Sequence, residues 1–167
     1  MNNQSIKHFC DWLSSTRLSN VFATTGWVVP VTQVFHILAI CALFGAAVLF
    51  NLYVLRGLNR ERPSTEVAAR LLPWIWWSLP ILLGTGIILT ITEPARELMS
   101  YTFRYKMLLI LAAMTVTAIL QAVVTRDVKR ARPGLSRLLA LAALVLWFGV
   151  VAAGRLIAYD TTAMAYY

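Results

Sequence analysis

The stretch WVVPVTQVFHILAICALFGAAVLFNLYVL, residues 27–55, contains no Asp, Glu, Lys or Arg, and the charge-free interval reaches back to residue 18. A spanning helix needs about 20 predominantly apolar residues, so this segment reads as a membrane span. Trp27 anchors its start at the interface and Pro30 falls in the first turn, where a missing N–H is tolerated. Three further charge-free intervals, 71–92, 107–125 and 138–154, repeat the pattern. The expected fold is therefore all-α: an integral membrane four-helix bundle with spans near 27–56, 71–92, 101–124 and 138–159.

Composition agrees. The 167 residues are 59% hydrophobic and 13% charged, against roughly 45–50% and about 25% in soluble domains. The formal charge of +8 does not mark a nucleic-acid binder, because nine of the fifteen basic residues fall in two short connections. Arg56, Arg60, Arg62 and Arg70 surround the first, and Arg126, Lys129, Arg130, Arg132 and Arg137 the third. The positive-inside rule makes both cytoplasmic and puts the N- and C-termini on the outer side. The lipid bilayer is the first partner implied, with other membrane subunits or a second copy beside it.

Residues 1–26 form a separate N-terminal unit. Over 4–20, Ile6, Phe9, Cys10 and Leu13 share one side of a helical wheel, and His8, Asp11 and Ser15 the other, as in an amphipathic helix lying in the interface. No signal peptide is visible. Residues 27–159 make the bundle and 160–167 a short tail. Cys10 and Cys41 match no disulfide framework or paired metal motif and read as structural. Pro80, Gly84 and Gly86 in span 2 predict a bend or a close approach, and Gly149, Ala152, Ala153 and Gly154 give span 4 a small-residue surface.

Polar side chains inside the spans are few, and they gather in one half of the bilayer. At a rise of about 1.5 Å per residue, His36 lies ~12–14 Å into span 1 from its outer end. Gln33, three residues earlier, shares its face. Lys106 lies in the second turn of span 3 behind Arg104, Arg155 lies about a turn from the end of span 4, and Glu93 ends span 2. Intramembrane ionisable groups are costly and mark functional positions. Lys106 and Arg155 also have the plain reading of side chains that snorkel to the surface, and Glu93 that of a surface partner for Arg96.

His36 is the only histidine in a span and too short to snorkel. It reads as a hydrogen-bonded structural residue, as the axial ligand of a haem, or as a proton or quinone site. For haem b, His36 is the metal ligand, and Arg104, Lys106 and Arg155 neutralise propionates. Such a site gathers His36, Lys106 and Arg155 between spans 1, 3 and 4. No second histidine is present in the spans for a bis-histidine arrangement, and the helical wheel turns His8 toward water. Paired intramembrane carboxylates and phosphate-binding glycine loops are absent from the sequence.

WVVPVTQVFH at 27–36 followed by Gly45, FRYKMLL at 103–109 and GRLIAY at 154–159 resemble a family of small uncharacterised bacterial four-span inner-membrane proteins, over most of the chain from Trp27 to Tyr159. More remotely, a histidine in span 1 and a lysine opening span 3 are similar to the haem-containing membrane protoporphyrinogen oxidases and the copper-resistance membrane proteins. The close resemblance implies location and topology. The remote one implies haem near His36 and a redox role for Lys106. The chain departs from the family's acidic-Leu-Arg sequence at the inner end of span 1, having Asn51, Leu52 and Tyr53 there. The function expected is electron transfer by a haem b protein. The alternatives are an accessory or anchoring subunit of a larger membrane complex and, third, a metal or small-solute permease.

Overall fold

A computed structural model describes residues 3–56, 64–126 and 133–157. These form seven helices: α1 (Asn3–Ser14), α2 (Arg17–Thr24), α3 (Val28–Leu55), α4 (Ser64–Thr92), α5 (Pro94–Leu98), α6 (Tyr101–Arg126) and α7 (Pro133–Leu156). No strand occurs among the described residues. Helices α3, α4, α6 and α7 are long and apolar enough to cross a membrane. The four-span bundle expected from the charge-free intervals is the architecture found. Two boundaries move outward: α4 starts at Ser64 and α7 at Pro133, so both helices run beyond the apolar intervals. A helix need not end where its apolar stretch ends.

The amphipathic 4–20 segment is two helices rather than one. The run Ser14-Ser15-Thr16 supplies hydroxyls that bind nearby backbone, with Ser15 and Thr16 donating to the carbonyls of Trp12 and Leu13 at 2.7 Å. Thr16 then caps α2 by accepting from the Ser19 N–H at 3.3 Å. Both helices are tied to one end of the bundle. Ser19 Oγ donates to Ile91 O at 2.9 Å, satisfying a carbonyl in the last turn of α4 that has no helical partner. Buried Cys10 donates from Sγ to Pro94 O at 3.6 Å, and burial, with Asp11 beside it, pushes its thiol pKa up. Phe9, Trp12, Leu18 and Val21 remain exposed, as suits helices in a lipid interface.

The core runs between the spans. Leu43, Ala47, Phe50 and Val54 of α3 meet Leu72 and Ile75 of α4, Leu120 and Val124 of α6, and Ala140 and Trp147 of α7 in one cluster. Alanines let the backbones approach, which drives association where lipid tails are as apolar as leucine. Polar groups in this core are mostly satisfied internally: Trp147 Nε1 donates to Thr117 Oγ1 at 3.1 Å, and Ser78 Oγ to Trp74 O at 2.6 Å. Asn51 is fully buried, its Nδ2 bonded to Ala47 O at 2.7 Å while Oδ1 has no partner among the described residues. The spans pack in the order α4, α3, α7, α6, and α4 meets α6 over only a small area. The bundle is thus open along its α4–α6 side.

Candidate functional site

Helices α3 and α7 each run antiparallel to the neighbours they pack against, so the start of α3 and the end of α4 share one end of the bundle. His36 is eight residues into α3 and Thr85 seven residues from the end of α4, which places both about 11–12 Å from that end. They meet there: His36 Nδ1 and Thr85 Oγ1 are 2.7 Å apart. Gly86 faces the imidazole edge: a Cβ added there would be in ordinary van der Waals contact, 3.7 Å from His36 Cε1. Nothing lies within 4 Å of a Cβ at Gly84, which is exposed. Of the two glycines expected to admit a neighbour, Gly86 alone does so.

The tautomer of His36 follows from where the Thr85 proton goes. The Thr85 hydroxyl lies 2.7 Å from Ile81 O, a turn earlier on its own helix, and its single proton is committed to that carbonyl. The oxygen must then accept from His36, so Nδ1 carries the imidazole proton and Nε2 holds the bare lone pair. A histidine whose one nitrogen donates to a fixed oxygen and whose other is unprotonated is the arrangement by which proteins orient metal-ligating imidazoles.

Lys106, on α6, is half-buried and lies against Gly154 of α7, its Cε and Nζ 3.8 Å from where a Cβ there would sit. It is near enough to His36 for the two to act on each other electrostatically, and Glu97 of α5 also acts on Lys106. Arg104, a half-turn earlier, is half-buried and stacks over the Tyr101 ring at 5.4 Å, a cation–π contact. Among the expected site residues the structure thus brings His36 and Lys106 into one electrostatic neighbourhood, while the described contact of Arg104 is with Tyr101. Gln33 and Arg155 are exposed and make no described contact with His36. His36 turns toward α4 instead of into a space between spans 1, 3 and 4. Spacing sets the depth of Gln33 and Arg155 but not the direction in which each helix face turns.

Thr85 is the residue that sequence reasoning missed. Its signal was its place between Gly84 and Gly86, the two glycines expected to admit a neighbour. Among the described residues no three His, Cys, Asp or Glu side chains form a metal cage. A metal held by His36 must therefore bring most of its ligands with it. A porphyrin, which supplies four nitrogens in a plane and needs one axial imidazole, fits that donor set.

Fold and site together define the protein as a four-span membrane bundle with one oriented, partly buried histidine in one half of the bilayer. The chain belongs to the family of unknown function DUF6644, whose model matches residues 9–160. Comparison with curated proteins and with solved structures finds no match.

Proposed function

We propose that the protein binds haem b in the half of the bundle that holds His36 and serves in electron transfer in the bacterial inner membrane, with both termini on the periplasmic side. The observation that supports this reading is the Thr85 contact: with the hydroxyl proton donated to Ile81 O, Nδ1 is the donor to Thr85 and Nε2 is left as a lone pair. When bound, haem supplies reversible one-electron exchange at iron. The chain's own residues do the rest. His36 ligates through Nε2, Thr85 holds the ring's orientation, and the cations Lys106 and Arg104 counter the propionates. Gly86 leaves the imidazole free of a crowding side chain.

The test is the absorption spectrum of the purified protein, alone and titrated with haem. The reading expects a Soret band in the wild type that is lost in His36→Ala while helicity is retained. An equal band in both proteins, or none in either, overturns it.

A second reading, an accessory subunit without a cofactor, is favoured by the exposed apolar face of α4, where Trp74, Trp77 and Leu83 are 63%, 74% and 67% accessible. It expects the protein to copurify with a large membrane partner and to lose nothing on His36→Ala.

A further inference from the structure

Threonines in these spans bond to their own backbone. Thr85, Thr90, Thr92, Thr115 and Thr125 each donate to the carbonyl four residues earlier, which satisfies a hydroxyl where water is absent. Thr32 does not. It is 8% exposed, and its hydroxyl makes no hydrogen bond among the described residues. A hydroxyl taken out of water and left unpaired is a cost to the fold.

Position 32 is one turn before His36 on the same face of α3. It lies four residues into α3, and Lys106 lies five residues into α6. Both helices start at the same end of the bundle, so the two side chains stand about 6–8 Å from that end. His36 lies a turn deeper. Thr32 is turned into the protein, and Lys106 is half-buried and close enough to act on His36 electrostatically. A neutral donor and a cation thus stand level with each other, between His36 and the nearer membrane surface.

We propose that Thr32 is a further binding residue of the haem site, donating its hydroxyl proton to a propionate. The assignment rests on the haem reading of His36. A haem held by that histidine turns its carboxylates toward the nearer surface, because a charge costs more at greater depth. A carboxylate so placed reaches the level of Thr32 and Lys106. Lys106 supplies the opposite charge, and Thr32 supplies a hydrogen bond to an ionised acceptor, which is the stronger kind. One contact satisfies both the unpaired hydroxyl and the carboxylate. An occupant without an acceptor, such as an acyl chain, leaves the hydroxyl as it was.

The experiment compares full-length wild type, Thr32→Val and Thr32→Ser in detergent. It reads the rate at which each loses haem to excess apomyoglobin, and the thermal stability of each without haem. Thr32→Val keeps the side chain's shape and removes the hydroxyl, and it should lose haem about tenfold faster than wild type. Thr32→Ser should stay close to the wild-type rate. With haem dimethyl ester, whose propionates carry no charge, the gap between wild type and Thr32→Val should shrink to about twofold or less. Without haem, Thr32→Val should be at least as stable as wild type, because the hydroxyl bonds nothing in the chain. Haem loss from Thr32→Val at the wild-type rate, an unaltered gap with the dimethyl ester, or a less stable haem-free Thr32→Val would each overturn the assignment and leave His36 as ligand. A wild type with no Soret band overturns the haem reading itself, and this assignment with it.

Discussion

Replacing Thr85 with valine keeps the side chain's shape and removes one oxygen, and the structure says what that oxygen holds. It accepts from His36 Nδ1 at 2.7 Å and donates to Ile81 O at 2.7 Å. The second bond is dispensable, since the Ile81 carbonyl keeps its helical partner, the Thr85 N–H. The first is the only described hydrogen bond of a half-buried imidazole in the bilayer. Interhelical hydrogen bonds in membrane proteins are worth about 0.6 kcal/mol on average and ~1.7 at most. A short contact to a group with no water nearby belongs in the upper half of that range, so Thr85→Val should cost about 1 kcal/mol in reversible denaturant unfolding. The effect on ligation should be larger, because the valine no longer fixes tautomer or ring direction. Loss of such a supporting partner lowers metal affinity about 10–100-fold, which haem titration reads directly, and Thr85→Ser should restore both quantities. Wild-type stability and wild-type haem affinity in Thr85→Val would refute the tautomer argument.

Other substitutions separate packing from polarity. Gly86→Leu should drive the imidazole from its place and cost about 1–3 kcal/mol by overpacking, whereas Gly84→Leu, facing open space, should stay within ~0.5 kcal/mol of wild type; equal thermal stability of the two variants contradicts the α3–α4 contact. Asn51→Leu removes a buried carbonyl oxygen with no partner among the described residues and should raise stability by about 1–3 kcal/mol; a loss of stability would mean that Oδ1 is satisfied in the membrane. With Cys10 and Cys41 replaced, impermeant thiol reagents applied to intact cells should label cysteines placed at Asn2 and Ala163 but not at Glu61. Labelling at Glu61 alone would invert the topology.

The spans were legible because a bilayer asks only for length and the absence of charge, and residues 27–55 answer both without reference to any other part of the chain. The N-terminal break was written in Ser14-Ser15-Thr16, but a hydroxyl run ends a helix only when its own backbone contacts win over continuation. Depth within the membrane was also readable, since it follows from the rise per residue, and it put His36 and Lys106 in the same half of the bilayer. What spacing could not supply was direction. Gln33 lies three residues from His36 and yet is exposed, and Arg155 shares the depth of Lys106 but not its burial. Thr85 was hidden because a threonine in an apolar helix usually bonds its own backbone. Thr85 does so, and its second role appears only once α3 and α4 are packed with His36 against it.

The most direct test of the central claim is the nitrogen spectrum of ¹⁵N-histidine-labelled protein in bilayers, where only His8 and His36 report and His8→Gln removes one of them. The account predicts a neutral His36 with Nδ1 protonated and Nε2 bare, and on addition of haem a change that is largest at the Nε2 signal. A proton on Nε2, or an Nε2 signal that haem leaves unmoved, would contradict it.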